Sequence, residues 1–168
     1  MTNHDEAIEF RRLGEVDPGD LIELMNDPAV RRHLPLAPDD FGESECAAFV
    51  AAKERMWDEV GYGPWAFVHG GELVGWGGLQ PEGDDVDVGM ILRSEHWGAG
   101  KALYSRILED AFGELGLASV IALLPPSRTR VAGMRRLGFR RDGELLVGGE
   151  RFLRYRLARP ERVEPDGA

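Results

Sequence analysis

Val86-Asp87-Val88-Gly89-Met90-Ile91-Leu92-Arg93-Ser94-Glu95-His96-Trp97-Gly98-Ala99-Gly100-Lys101-Ala102-Leu103-Tyr104 is the stretch that decides the fold. Val86 to Leu92 reads as a strand, entered through the acidic turn Glu82-Gly83-Asp84-Asp85. From Lys101 to Leu115 the apolar residues Leu103, Tyr104, Ile107, Leu108, Ala111, Phe112 and Leu115 recur at the i, i+3, i+4 spacing of an amphipathic helix. Strand, glycine-containing turn and helix in that order make an anion site. The N–H groups of the first helical turn point outward, and the helix dipole adds about half a positive charge there. Gly98 and Gly100 let backbone approach a phosphate without a Cβ in the way.

Two other phosphate motifs fail on this stretch. A Walker A loop needs Gly-x4-Gly-Lys-Ser/Thr, but Glu95 stands at its first glycine and Ala102 at its hydroxyl. A dinucleotide fingerprint needs a small third residue, and Leu103 is there instead.

On the carboxyl side, Gly116 is placed to end the helix, and Ala118 to Leu124 reads as a buried, parallel strand. Pro125-Pro126 stops that strand, and Ser127 is expected to cap a helix running to Leu137. Gly138-Phe139 leads back into sheet, and Gly148-Gly149 turns a last hairpin into Phe152 to Leu157. On the amino side, Ile8 to Leu13 begins as an alternating strand, and Asp17-Pro18 marks a helix start. A further helix from about Ser44 stops near Gly61-Tyr62-Gly63-Pro64. Trp65 to Val68 and Leu73 to Trp76 flank Gly70-Gly71 as an antiparallel hairpin. The order β-α-α-β-β-β-α-β-α-β-β implies a mixed α/β sheet with a right-handed crossover at the central helix.

Composition agrees with one globular unit: 168 residues, 43% hydrophobic and 30% charged. No run approaches the ~18 apolar residues of a membrane span, and the amino end lacks the pattern of a secretory signal. With Cys46 as the only cysteine, no intrachain disulfide can form, so a reducing cytoplasm is the expected setting. Twenty basic and thirty acidic residues give a net charge of −10, which opposes nucleic-acid binding and favours cationic substrates. Cys46 reads as a small buried hydrophobe, and Trp57, Trp65 and Trp76 as core; Trp97, beside the phosphate turn, is the tryptophan placed to touch a ligand. His33, His69 and His96 have no metal-ligand spacing with one another or with Cys46.

Glu95-His96-Trp97-Gly98-Ala99-Gly100 resembles the Gln/Arg-x-x-Gly-x-Gly/Ala pyrophosphate loop of the GNAT superfamily, with Glu95 departing from the pattern. The longer string Asp87 to Ala102 is similar to the branch containing ribosomal-protein N-terminal acetyltransferases, which favours Glu-Ile-Gly-aromatic followed by Trp-Gly-x-Gly. Arg135-Arg136-Leu137-Gly138-Phe139 is similar to the family's Lys-Leu-Gly-Phe at the end of its fourth helix. The likeness runs over residues 8–158. It implies a single domain over 1–158 and a mixed, mostly antiparallel sheet of about seven strands, while the polar, Pro/Gly-containing stretch 159–168 reads as a mobile tail. A splayed central parallel pair and about four helices belong to that expectation.

The resemblance implies an N-acetyltransferase in which the primary amine of a small molecule or a protein N-terminus attacks acetyl-CoA directly. The backbone of Ile91, Leu92 and Arg93 would hold the pantetheine arm, and Trp97, Gly98, Ala99, Gly100, Lys101 and Ala102 the pyrophosphate. Ser127 and Arg130, at the positions of the family's asparagine and serine, join the expected cofactor contacts. A base must take the ammonium proton, and Asp87 is the expected one, with Asp85 of equal strand parity behind it. Met134 falls where the family's proton-donating tyrosine stands, and Tyr62, Tyr104 and Tyr155 read as packing residues. That gap motivates the competing reading, a catalytically weak acyl-CoA-binding or regulatory module. No metal, nucleic acid or membrane is expected; a homodimer is compatible with the family.

Overall fold

A computed structural model describes residues 7–37, 40–128 and 131–161. Its strands are β1 (Glu9–Arg12), β2 (Pro64–His69), β3 (Glu72–Glu82), β4 (Asp85–Leu92), β5 (Ser119–Leu124), β6 (Arg140–Val147) and β7 (Glu150–Ala158). The helices are α1 (Pro18–Asn26), α2 (Pro28–Arg31), α3 (Glu43–Val60), α4 (Gly100–Phe112) and α5 (Ala132–Arg136). Short 3-10 turns precede α1 and α4. All seven strands join one sheet in the order β1-β2-β3-β4-β5-β7-β6. Every neighbouring pair is antiparallel except β4 and β5.

Local chemistry sets the element ends. Asp17 and Asp27 cap α1 and α2, each accepting an N–H two residues on at 2.8 and 2.9 Å, and each precedes a proline at the first helical position. Gly70 and Gly71, at φ 57° and 81°, supply the two left-handed residues of the β2–β3 hairpin. Gly148-Gly149 repeats the device between β6 and β7.

Strands β2 and β3 are buried on both faces, which explains their near-continuous apolar runs. Phe67 and Val74 pack on one side with the α4 face of Leu103, Tyr104, Ile107, Leu108 and Ala111. Ala66, Leu73 and Trp76 pack on the other with α1 and α3 residues Leu21, Leu24, Met25 and Cys46. Cys46 is buried and its thiol faces the Pro18 carbonyl oxygen at 3.8 Å. Among the described residues no helix is long and apolar enough to cross a membrane.

The structure corrects four boundaries. Strand β3 continues past Trp76 to Glu82, because Gly75, Gly77 and Gly78 pair in register with β4 rather than breaking the ladder. The one-turn α2 follows its Asp-Pro cap and makes five α-helices among the described residues, where about four were expected. Helix α4 ends at Phe112 with Gly113 as its cap, three residues before Leu115. The helix expected from Ser127 spans only Ala132–Arg136: Pro125 and Pro126 hold a turn that the Arg128 N–H closes on the Pro125 carbonyl at 2.9 Å. Ser127 therefore lies in a turn ahead of α5 rather than at its first turn. Arg130 lies outside the described residues, as do residues 162–168 of the expected tail.

Close approach of β3 to β4 depends on Gly75, where an added Cβ would stand 2.1 Å from the Ile91 carbonyl oxygen. Gly75→Ala is expected to lower unfolding free energy by about 2 kcal/mol or more, as overpacking against backbone does. Urea denaturation measures it.

Candidate active site

Strands β4 and β5 share one register pair, Asp87 with Ile121, and part beyond it. Peptide groups on a strand face alternate sides. The Arg93 N–H donates to the Val74 carbonyl of β3 at 2.9 Å, so Arg93 and Ile91 turn their backbone groups toward β3. Leu92 and Met90 accordingly turn theirs toward the gap. Of the three residues expected to hold a pantetheine arm by backbone, only Leu92 presents its amide there. Its carbonyl accepts the Trp97 indole N–H at 3.0 Å. The Arg93 side chain is also engaged, with the Leu73 carbonyl at 3.0 Å and with Glu23 at 3.6 Å.

At the top of the gap, the turn expected to take pyrophosphate is a 3-10 helix, Ser94–Ala99, that runs directly into α4. The Gly100 N–H bonds to the Trp97 carbonyl, so it is not one of the free amides. Free space surrounds Gly98: beyond its own chain neighbours, nothing lies within 4 Å of where a Cβ would be. At Gly100 an added Cβ would meet only Leu92 Cδ1 at 3.7 Å, an ordinary contact. The turn therefore presents bare backbone at the amino end of α4, as an anion site requires. Lys101 and Ala102 are exposed in the first turn of α4, and the Trp97 ring is 57% exposed.

The gap opens into a cavity of about 780 Å³ whose lining includes Asp87, Ile91, Leu92, Trp97, Gly100 and Ser127. These six of the expected site residues meet in one place. Arg93, Gly98, Ala99, Lys101 and Ala102 lie beside it, outside the lining.

Asp87 is the unusual group. Part of the residue faces the cavity, while Oδ1 has no access to solvent and no hydrogen-bond partner. Burial, above all, pushes its pKa up from 3.8 to about 7. A backbone hydrogen bond from Leu123 opposes the rise, Glu82 adds to it, and Lys53 opposes it. Gln80 sits directly across the β3–β4 ladder from Asp87, and the Lys53 ammonium donates to its Oε1. That ammonium also lies 5.4 Å from the Phe49 ring centroid and 5.8 Å from that of Trp76. Burial lowers the pKa of Lys53, and the Asp87 charge holds it up.

Asp85, the fallback base, is committed elsewhere. Arg156 donates to its two oxygens at 2.8 and 3.1 Å, and this fork holds the Asp85 carboxyl below its ordinary range.

Tyr104 packs against the core, as its helical spacing predicts, and it also lines the cavity. It stands four residues after Gly100, hence on the same helix face, a spacing the sequence already displays. Burial raises its pKa first, Arg128 lowers it and Asp87 raises it. Met134, in the position of the family's tyrosine, is buried in the core. Ser127 Oγ faces His33 Nδ1 at 3.4 Å.

A family model described as the acetyltransferase (GNAT) domain matches residues 8–140, and the chain belongs to that family. It is an acyltransferase, and acetyl-CoA is the acetyl donor of the class. Solved structures agree in fold. An acetyltransferase from Agrobacterium tumefaciens superposes with a TM-score of 0.72 at 22% identity, covering 89% of this chain and 90% of that one. A GNAT-family acetyltransferase from Bacillus anthracis gives 0.69 at 20% identity, covering 92% and 95%. The yncA protein of Salmonella typhimurium, solved with its cofactor acetyl-CoA, gives 0.67 at 17% identity, covering 98% and 99%. No curated protein matches the chain.

Because the folded protein retains the Asp87 proton up to about pH 7 whereas an ordinary aspartate loses it near 3.8, ionisation works against folding. The stability that the neutral carboxyl contributes is complete below about pH 4 and lost as pH rises through 7. Asp87→Asn, which stays neutral, is expected to raise Tm at pH 8.5 and to leave it near wild type at pH 4. Thermal unfolding at the two pH values reads the difference.

Proposed function

We propose that the chain is an N-acetyltransferase that moves an acetyl group from acetyl-CoA to a primary amine, with Asp87 as the base. What carries the reading is one observation: the carboxylate with an unpartnered oxygen and a pKa near 7 lines the cavity that opens between β4 and β5. The Leu92 amide and the open backbone at Gly98 and Gly100 fit a pantetheine arm and a pyrophosphate. Lys101, Ala102 and Ala99 flank the phosphate end, and Ser127 lines the cavity.

Acetyl-CoA supplies an acetyl group activated as a thioester. An acceptor ammonium, with a pKa near ~10.4, must lose a proton before its lone pair can attack. Asp87 receives that proton; at about three pH units above an ordinary aspartate, it is a correspondingly stronger base. Glu82 and Asp87 face the same cavity and favour a cation in it. Tyr104 lines the cavity and stays protonated because burial raises its pKa, which makes its hydroxyl our proposed proton donor to the departing thiolate. Tyr104 thus takes over the role that Met134 cannot fill. The similarity of Asp87 to Ala102 to the ribosomal-protein branch keeps a protein N-terminus among the acceptors.

Acetyl-CoA at ~100 times its Kd should stabilise the fold by about 2.7 kcal/mol, seen as a thermal shift. Gly100→Asp, for which the backbone has room, is expected to keep the fold and lose that shift; a retained shift contradicts the assigned turn. Thiol release across a panel of amines should give a rate rising with pH through about 7, with Asp87→Asn lowering it at least 100-fold and removing that rise. Tight acetyl-CoA binding with no amine turned over would favour the non-catalytic acyl-CoA-binding module.

A further inference from the structure

Two arginines of the cavity are not used by this chemistry. Around the sheet, arginines are paired: Arg12 with Glu54, Arg93 with Glu23, Arg154 with Asp142, and Arg156 with Asp85 and Asp142. Arg32 and Arg128 line the cavity and have no carboxylate partner among the described residues. Arg128 is half-buried, where an unpaired guanidinium is costly unless an anion arrives. The two come from separate elements, Arg32 from the end of α2 and Arg128 from the turn after β5. The contact of His33 with Ser127 at 3.4 Å joins these two segments. Arg128 and Arg32 are also close enough to His33 to depress its pKa, after burial. All this stands in a chain of net charge −10, so the local positive charge runs against the global sign.

The phosphate turn opens α4, and α4 buries its face in the core on one side of the sheet. Val30 and Leu34, which flank Arg32, pack instead into the cluster that holds Trp76. Arg32 therefore reaches the cavity from a segment packed on the Trp76 side of the sheet. The same cavity is lined by the carboxylates of Glu82 and Asp87 and by apolar side chains of Leu36, Val147 and Phe152.

We infer that the acceptor is an amino acid-type molecule, a primary amine bearing a free carboxylate. Its carboxylate is held by Arg128 and Arg32, its amine meets Asp87, and its carbon skeleton lies on the apolar wall. The inference rests on the acetyltransferase reading and narrows it. A guanidinium fork suits a carboxylate in particular, since two N–H groups match its two oxygens.

The test is thiol release with leucine, phenylalanine, 4-aminobutanoate and 6-aminohexanoate, each beside its carboxamide, together with spermidine and a peptide of free N-terminus and amidated C-terminus. At least one amino carboxylate is expected to exceed its amide about tenfold or more in kcat/KM, chiefly through KM. Arg128→Gln should collapse that ratio to below about 2, and Arg128→Lys, which keeps charge but loses the fork, should retain part of it. Amides, spermidine or the peptide matching the best amino carboxylate would overturn the inference while leaving acetyl transfer standing. Equal losses on acid and amide, with a weakened acetyl-CoA thermal shift, would overturn it by assigning Arg128 to cofactor phosphate. Absence of turnover with every amine would overturn the acetyltransferase reading, and this inference with it.

Discussion

Strands β4 and β5 pair at Asp87 and Ile121 and then diverge, and the site depends on that divergence. A parallel pair that stayed in register would spend the Leu92 and Met90 amides on β5. Divergence leaves those groups facing a gap, and the gap widens into the cavity. The junction also fixes Asp87: the last residue before the strands part is surrounded by protein and still borders the opening. One departure from regular sheet thus leaves an open gap, where we propose the pantetheine arm lies, with a carboxylate of raised pKa at its foot.

The rest of the molecule holds this irregularity in place. Close packing of Gly75 and Gly77 against β4 fixes the outer edge of β4. The α4 face, from Leu103 to Ala111, sets where the helix begins, and with it the turn at Gly98. On the other side of the gap, β5 is pinned by its full-length antiparallel pairing with β7. Arg156 on β7 ties back to Asp85 at the start of β4, bracing the two strands below the point of divergence. An ionised Asp87 works against folding above pH 7, a cost in stability located at the proposed site of chemistry.

Much of the architecture was legible in the chain. Double-glycine hairpins, Asp-Pro caps, the periodic face of α4 and the buried run of β5 are local signals, and the structure forms each as its residues dictate. The one parallel pair followed from the crossover through α4 that joins β4 to β5. The departures lie where local chemistry competes with tertiary context: the strand expected over Leu73 to Trp76 runs on to Glu82 because its glycines serve close approach to β4, and Pro125-Pro126 shorten α5 by imposing a turn. At the candidate site, Asp87, Leu92, Trp97, Gly100 and Ser127 were readable from motif and order. Lys53, Gln80, Glu82, Arg32 and Arg128 were not, since they reach the site by cross-strand register and by loops from distant segments. Tyr104 lay between: its four-residue spacing from Gly100 was visible, but its exposure to a cavity was not.

A structure of the protein crystallised with coenzyme A tests the central claim most directly. The account predicts a pantetheine arm running between β4 and β5, hydrogen-bonded to the Leu92 amide, with the pyrophosphate at Gly98 to Ala102 and the thiol in the cavity that Asp87 and Tyr104 line. Coenzyme A bound elsewhere, or the β4–β5 gap closed with its amides paired, would contradict it.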